Sequence, residues 1–265
     1  MTFALDAALT LERTGEGRYR APVSTDYWNF DSAFGGWALA LALVAVRAEP
    51  DARGDLVSVN AVFPAAIKEG DVDIYVEKIS ARSRTDFWRV TMRASDAPTT
   101  PLFSADIVTS IRKSSDVAFN ETAPQAPAPE TVDVMPTEIG PRWLKRFEQR
   151  QFEGAPFQDN ARPRSMTWIR SVDGRPLDAP GLLAVADTPM PRVFFVSKQL
   201  RMGSTVSFSL HLMASEAQVA SVGDRPLLVE TDSDAIRDGA YDQRARLWSP
   251  DGALLAVANQ IAFFR

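Results

Sequence analysis

The 265-residue chain contains no cysteine. That absence excludes disulfide staples, thiolate nucleophiles and zinc–thiolate centres together. Histidine occurs once, as His211, so a His-rich metal site has no material and a Ser-His-Asp centre would have to use that one residue. Positive charge is not in excess: 29 Lys and Arg stand against 34 Asp and Glu, a net −5. Such a balance argues against a nucleic-acid backbone as the main partner. Long apolar runs are missing as well. Residues 33–46 (AFGGWALALALVAV) are uncharged but too short to cross a bilayer, and they read as a buried helix. Residues 1–20 show no basic segment ahead of an apolar one. No secretory leader and no membrane insertion are therefore expected, and the expected location is cytoplasmic. Gly35-Gly36 lacks the Lys and Ser/Thr of a phosphate loop, and no metal or other cofactor is expected.

What is present is an ordinary globular composition, 45% hydrophobic, in a chain long enough to bury a full core. Residues 114–138 carry Pro124, Pro127, Pro129 and Pro136 with little periodicity, which is linker chemistry. The two flanks repeat one programme. In the first, the pattern predicts a helix over 34–48, apolar on nearly every face, followed by strands at 56–63, 71–79, 87–94 and 102–112. In the second it predicts a short strand at 166–170, a helix over 187–200, and strands at 205–213, 227–232, 239–248 and 254–264. Residues 248–252 (WSPDG) read as a hairpin turn between two long strands. A repeat this long is a duplicated domain rather than a solenoid. The expected architecture is α+β: residues 1–113 and 139–265 each form a long antiparallel sheet wrapped around a central helix, joined by the 114–138 linker. Edge-to-edge pairing of the two sheets would remove two unprotected edges, and self-association to at least a homodimer is expected.

These segments, in this order, resemble the double hot-dog acyl-CoA thioesterases of the bacterial thioesterase II kind. Phe34-Gly35-Gly36-Trp37 is similar to the opening of the family's first hot-dog helix. The run from Leu182 to Asp187 resembles the strandlike segment ending in the family's catalytic Asp. Residues 205–211 (TVSFSLH) resemble the strand that opens with its catalytic Thr, and Val257-Ala258-Asn259-Gln260-Ile261 the last strand with its catalytic Gln. The resemblance thus implies a tandem (double) hot-dog fold, an acyl-CoA substrate, and Asp187, Thr205 and Gln260 as catalytic residues. Two departures stand beside the site. Ser207-Phe208 replaces the family's Asp-His, and Ile261-Ala262 follows Gln260 where the family has Glu-Gly.

Thioester hydrolysis needs an activated water and donors for the oxyanion of the tetrahedral intermediate. An Asp accepts the proton, while a hydroxyl and a carboxamide hold the water; direct attack by Asp187 through an anhydride is the other route. Backbone N–H groups at a helix N-terminus suit the oxyanion, which points to Gly35 and Gly36, where the backbone lies open to close approach. Each residue also has an ordinary role. Asp187, ahead of Thr188-Pro189-Met190-Pro191, is a good helix N-cap. Thr205 is a favoured strand residue. Gln260 stands either on a buried face, where it needs partners, or on the solvated one. His211 lies at even spacing from Thr205 and so on its expected face, but it has no placed partner and is left out of the site.

Arg142, Lys145, Arg146, Arg150, Arg162 and Arg164 form a basic cluster suited to coenzyme A phosphates, or simply a solvated face with Glu148 and Glu153 interspersed. Trp143, Trp168, Phe152 and Phe157 read as packing residues. Two other functions compete. An enoyl-CoA hydratase on the same scaffold would want a His where Arg192 follows Pro191. A non-catalytic acyl-CoA-binding double hot-dog protein would need none of the three polar residues in one pocket.

Overall fold

A computed structural model describes residues 2–265 of the chain. In order, the elements of the first half are α1 (Ala4–Ala8), β1 (Glu12–Gly15), β2 (Arg18–Pro22), α2 (Gly35–Arg47), β3 (Asp55–Val62), β4 (Asp71–Ala81), β5 (Thr85–Ala94) and β6 (Ala97–Ser110). The second half comprises β7 (Phe147–Glu153), β8 (Ser165–Ser171), α3 (Ala179–Ala186), β9 (Gly203–Leu212), α4 (Glu216–Ala220), β10 (Leu227–Asp232), β11 (Ile236–Arg237), β12 (Ala240–Trp248) and β13 (Leu254–Phe264). All strands join one antiparallel sheet in the order β1-β2-β4-β5-β6-β3-β9-β13-β12-β10-β8-β7, with the short β11 against β12.

The order is a mirror about one seam. The pairing β2-β4-β5-β6-β3 is repeated, reversed, as β9-β13-β12-β10-β8, so the seam β3-β9 pairs two edges that would otherwise be open. At the seam Ser58 faces His211, Asn60 faces Ser209 and Val62 faces Ser207.

The apolar sequence of α2 has a structural counterpart: Gly36, Trp37 and nearly every later residue are buried, and the helix touches β4, β5 and β6 on one side and α3 on the other. A helix without a polar face has to be enclosed. No side chain caps its N-terminus at Phe34. The contact with α3 is close enough to require glycine: a Cβ on Gly36 would lie 2.8 Å from the Ala184 carbonyl oxygen and 2.5 Å from the Phe34 ring.

The second helix is shifted from its expected place. It occupies residues 179–186, ahead of Asp187, rather than 187–200. Asp178 is its N-cap, accepting a hydrogen bond from the Gly181 amide at 2.8 Å, and Pro180 stands in the first turn. Pro189 and Pro191 follow Asp187 and stop the helix from continuing; only a 3₁₀ turn forms beyond them, at Arg192–Phe195.

The proline-rich segment lies along the outer face of the second half. Ala123 and Ala126 pack on the cluster of Met166, Trp168, Leu228 and Trp248, and the Trp168 indole donates to the Pro127 carbonyl at 2.9 Å. Trp168 and Trp248 are thereby buried on a sheet face that otherwise meets solvent.

Candidate active site

Strand alternation decides which polar residues can meet. Along β9 the register slips against β13: Ser207 pairs with Ile261, but Thr205 pairs with Ala262, so Val206 is an extra residue. A β-bulge of this kind turns the chain over by one position. Thr205 therefore faces inward with Phe208, Leu210 and Leu212, while Ser207, Ser209 and His211 face outward. His211 is exposed, and its expected face is corrected by the bulge.

On β13, Gln260 and Ala262 belong to the same inward side, both buried. Thr205 Oγ1 donates to Gln260 Oε1 at 3.0 Å. Gln260 is thus a partnered polar residue on the buried face. Among the described residues its carboxamide nitrogen makes no protein hydrogen bond.

Asp187 reaches this region from the helices. It is the C-cap of α3, with ordinary backbone angles, and not an N-cap. Its carboxylate projects to the start of α2: a Cβ on Gly35 would lie 2.7 Å from Asp187 Oδ2 and 3.4 Å from the Phe63 ring. Phe63 in turn donates its amide to the Val206 carbonyl at 3.0 Å, one residue from Thr205. Asp187, Gly35, Phe63 and the bulged end of β9 are therefore consecutive neighbours.

The electrostatics follow from that placement. Burial pushes the Asp187 carboxyl up to about 7, and the Gly36 backbone N–H offsets part of the rise. The carboxylate lies between the carbonyl-rich end of α3 and the amide-rich start of α2, which oppose each other in sign. Burial also pushes the Tyr241 phenol far up, with Arg192 opposing and Asp187 adding to the shift. Tyr241 pairs with Ala262, and Gln243 with Gln260, on the adjacent β12. Sequence reasoning did not single out Tyr241 and Gln243, and it met Arg192 only as the residue standing where a hydratase would want a His. The alternation Tyr241-Gln243-Ala245 on β12 was the available signal, since it puts a carboxamide in an otherwise apolar inward row.

The basic cluster is spread over several ion pairs. Arg146 meets Asp26, Arg150 meets Glu148, Arg162 meets Asp232, and Arg164 meets both Glu153 and Glu230. Those four guanidiniums are already committed to carboxylates. Trp143 is buried against Phe34 and Phe147, as a packing residue. An open groove of about 710 Å³ runs across the outward face, lined by Asn60, Arg89, Asp106, Ser209, Arg244 and Asn259. Gln260 borders it too, but its side chain belongs to the inward face with Thr205, so this groove is separate from the Asp187 region.

Residues 120–264 match the family model of the acyl-CoA thioesterase C-terminal domain, and residues 24–110 that of the N-terminal domain. The chain belongs to the acyl-CoA thioesterase family. No curated protein matches it. Among solved structures, it is similar to a conserved protein of unknown function with a hot-dog fold from Alicyclobacillus acidocaldarius, at 26% identity and TM-score 0.95, covering 100% of this chain and 99% of that one. It also superposes on an acyl-CoA thioesterase II from Mycobacterium marinum, at 18% identity and TM-score 0.79, covering 99% and 98%. The tesB protein of Mycobacterium avium subspecies paratuberculosis gives 21% identity, TM-score 0.79 and 98% coverage of both chains. The fold of this acyl-CoA thioesterase family member is accordingly of the hot-dog type, with a large antiparallel sheet and few helices, consistent with a double hot-dog. No helix is long and apolar enough to cross a membrane.

Proposed function

We propose that this family member hydrolyses acyl-CoA thioesters to the free acid and coenzyme A, with Asp187, Thr205 and Gln260 as its catalytic residues. The observation that carries the reading is the Thr205–Gln260 hydrogen bond on the buried face, and the Asp187 carboxyl that burial pushes up to about 7 supports it. A carboxylate with a pKa close to the working pH is suited to general-base chemistry.

In this mechanism Asp187 takes a proton from water as the water oxygen attacks the thioester carbonyl. Thr205 and Gln260 hold that water by hydrogen bonds. The oxyanion is received at the N-terminus of α2, where Gly35 and Gly36 open the helix without a capping side chain. Collapse of the tetrahedral intermediate breaks the carbon–sulfur bond, and the departing thiolate recovers the proton.

The same reading takes residues 1–113 and 139–265 as two hot-dog units, each with its sheet curled around its own helix, α2 or α3, and residues 114–138 as the link between them. It places the protein in the cytoplasm, as a homodimer or larger homo-oligomer acting in lipid metabolism without a cofactor.

The test is release of free thiol from acyl-CoAs of short to long chain by the wild type and by Asp187→Asn. Turnover by the wild type and its loss in the folded variant supports the assignment. Binding of acyl-CoA without thiol release at any chain length would instead make this a non-catalytic acyl-CoA-binding protein.

A further inference from the structure

Arg192 is completely buried, yet among the described residues it forms no ion pair. Its guanidinium is satisfied by neutral acceptors. Nε and Nη2 donate to the Met190 carbonyl at 3.0 and 2.6 Å. Nη1 donates to the Pro163 carbonyl at 3.1 Å and to Ser165 Oγ at 2.9 Å, and Nε also donates to Gln243 Oε1 at 3.1 Å. The Phe195 ring lies 4.1 Å beneath the cation. Burial pulls the group down to about 9, so it stays charged at neutral pH. Burying an unpaired cation is costly, and an apolar side chain would fill the space more cheaply. A reason specific to its hydrogen-bonding chemistry is called for.

Two of its acceptors border the residues assigned above. Met190 lies three positions after Asp187, and Gln243 is the cross-strand partner of Gln260. A carboxamide can present either its oxygen or its NH2 group to a neighbour, but an Arg can only donate. Arg192 therefore requires the Gln243 oxygen, which leaves the Gln243 NH2 group as a donor in the row beside Gln260. Gln243 and Gln260 are cross-strand neighbours with no direct hydrogen bond between their side chains among the described residues. A donor group on the Gln243 side and the Thr205 hydroxyl donating to Gln260 Oε1 at 3.0 Å both favour Gln260 with its oxygen toward the protein and its NH2 toward the pocket.

We propose that Arg192 is a positioning residue: it sets the hydrogen-bond polarity of the row Gln243–Gln260–Thr205 and pins the turn that follows Asp187. This rests on the thioesterase reading of those residues, and the test separates the two. The variants are Arg192→Lys, which keeps the charge but loses the fork, and Gln243→Glu, which keeps an acceptor for Arg192 but removes the NH2 donor. For each full-length variant the melting temperature, kcat and KM for acyl-CoA, and the Gln260 side-chain NH2 resonances (assigned by their loss in Gln260→Leu) are measured. The expected result in folded variants is a moved Gln260 signal with kcat down about tenfold or more and KM within about twofold. An unmoved Gln260 signal in both folded variants overturns the proposal, whatever the rates. If the wild type releases no thiol from any acyl-CoA but the Gln260 signal moves, the thioesterase reading fails while the hold of Arg192 on Gln260 stands.

Discussion

Thr205 Oγ1 reaches Gln260 Oε1 at 3.0 Å because Val206 stands out of register between β9 and β13. Without that bulge the alternation of β9 would turn the hydroxyl to the same outward side as Ser207 and His211. The bulge is held from the other half of the molecule, where the Phe63 amide donates to the Val206 carbonyl at 3.0 Å. Phe63, the residue that follows β3, thus helps to aim a second-half side chain.

If Thr205 and Gln260 act as one unit, their removal is not additive. Thr205→Val and Gln260→Leu should each lower kcat by about 10- to 100-fold, and the double variant should lose scarcely more than the worse single one. Steady-state thiol release from the four proteins of the cycle measures this. Losses that multiply would show the two residues acting independently.

The pH–rate profile should report Asp187. The base must be ionised, so kcat/KM should rise with pH and reach half its plateau near 7, where burial has moved the carboxyl. A profile still flat from pH 5 to 8 would remove Asp187 from the role of base.

The same shift acts on stability with a definite sign. The folded-state pKa of about 7 lies above the ordinary value, so the protonated form is the one the fold prefers. That contribution is complete below about pH 4 and is lost as pH rises through about 7, by an amount on the order of 2–4 kcal/mol. Asp187→Asn, which stays neutral, should therefore be more stable than the wild type above pH 7 and differ little at pH 4. Denaturant unfolding at the two pH values tests it.

The two glycines at the start of α2 should separate fold from function. Gly36→Ala forces a Cβ against backbone and ring and should cost about 1–3 kcal/mol of stability by overpacking. Gly35→Ala instead meets the Asp187 carboxylate at 2.7 Å; it should cut thiol release sharply while shifting the melting temperature less. Thermal melts beside rate measurements distinguish them.

His211, the chemically tempting residue, is exposed on the outward face. His211→Ala should leave kcat within about twofold of wild type, as expected for a surface change away from the site. A large loss would mean that the outward face of the sheet takes part in the reaction.

The apolar run of α2, the long alternating strands and the repeated element order were legible in the sequence because each depends on local periodicity and composition. The strands expected in both halves fall close to their places for that reason, while β1, β2 and β7, toward the two ends of the sheet, were not expected. The second helix does not fall in its expected place. Residues 182–186 are apolar and too short for periodicity to tell a buried helix from a strand, and Asp187-Thr188-Pro189 reads as a helix start, whereas the helix is capped at Asp178 and ends before Asp187. The residue types Asp187, Thr205 and Gln260 were found by family resemblance, not by spacing. Which of them meet was settled by tertiary structure alone. A one-residue bulge reverses the facing of a strand, an effect invisible to a period-two count. The raised Asp187 carboxyl and the buried, donor-only Arg192 arise from packing between elements far apart in the chain. Sequence by itself determined the repeated elements and the available side-chain chemistry; register and burial decided which groups share a face and what charge each can carry.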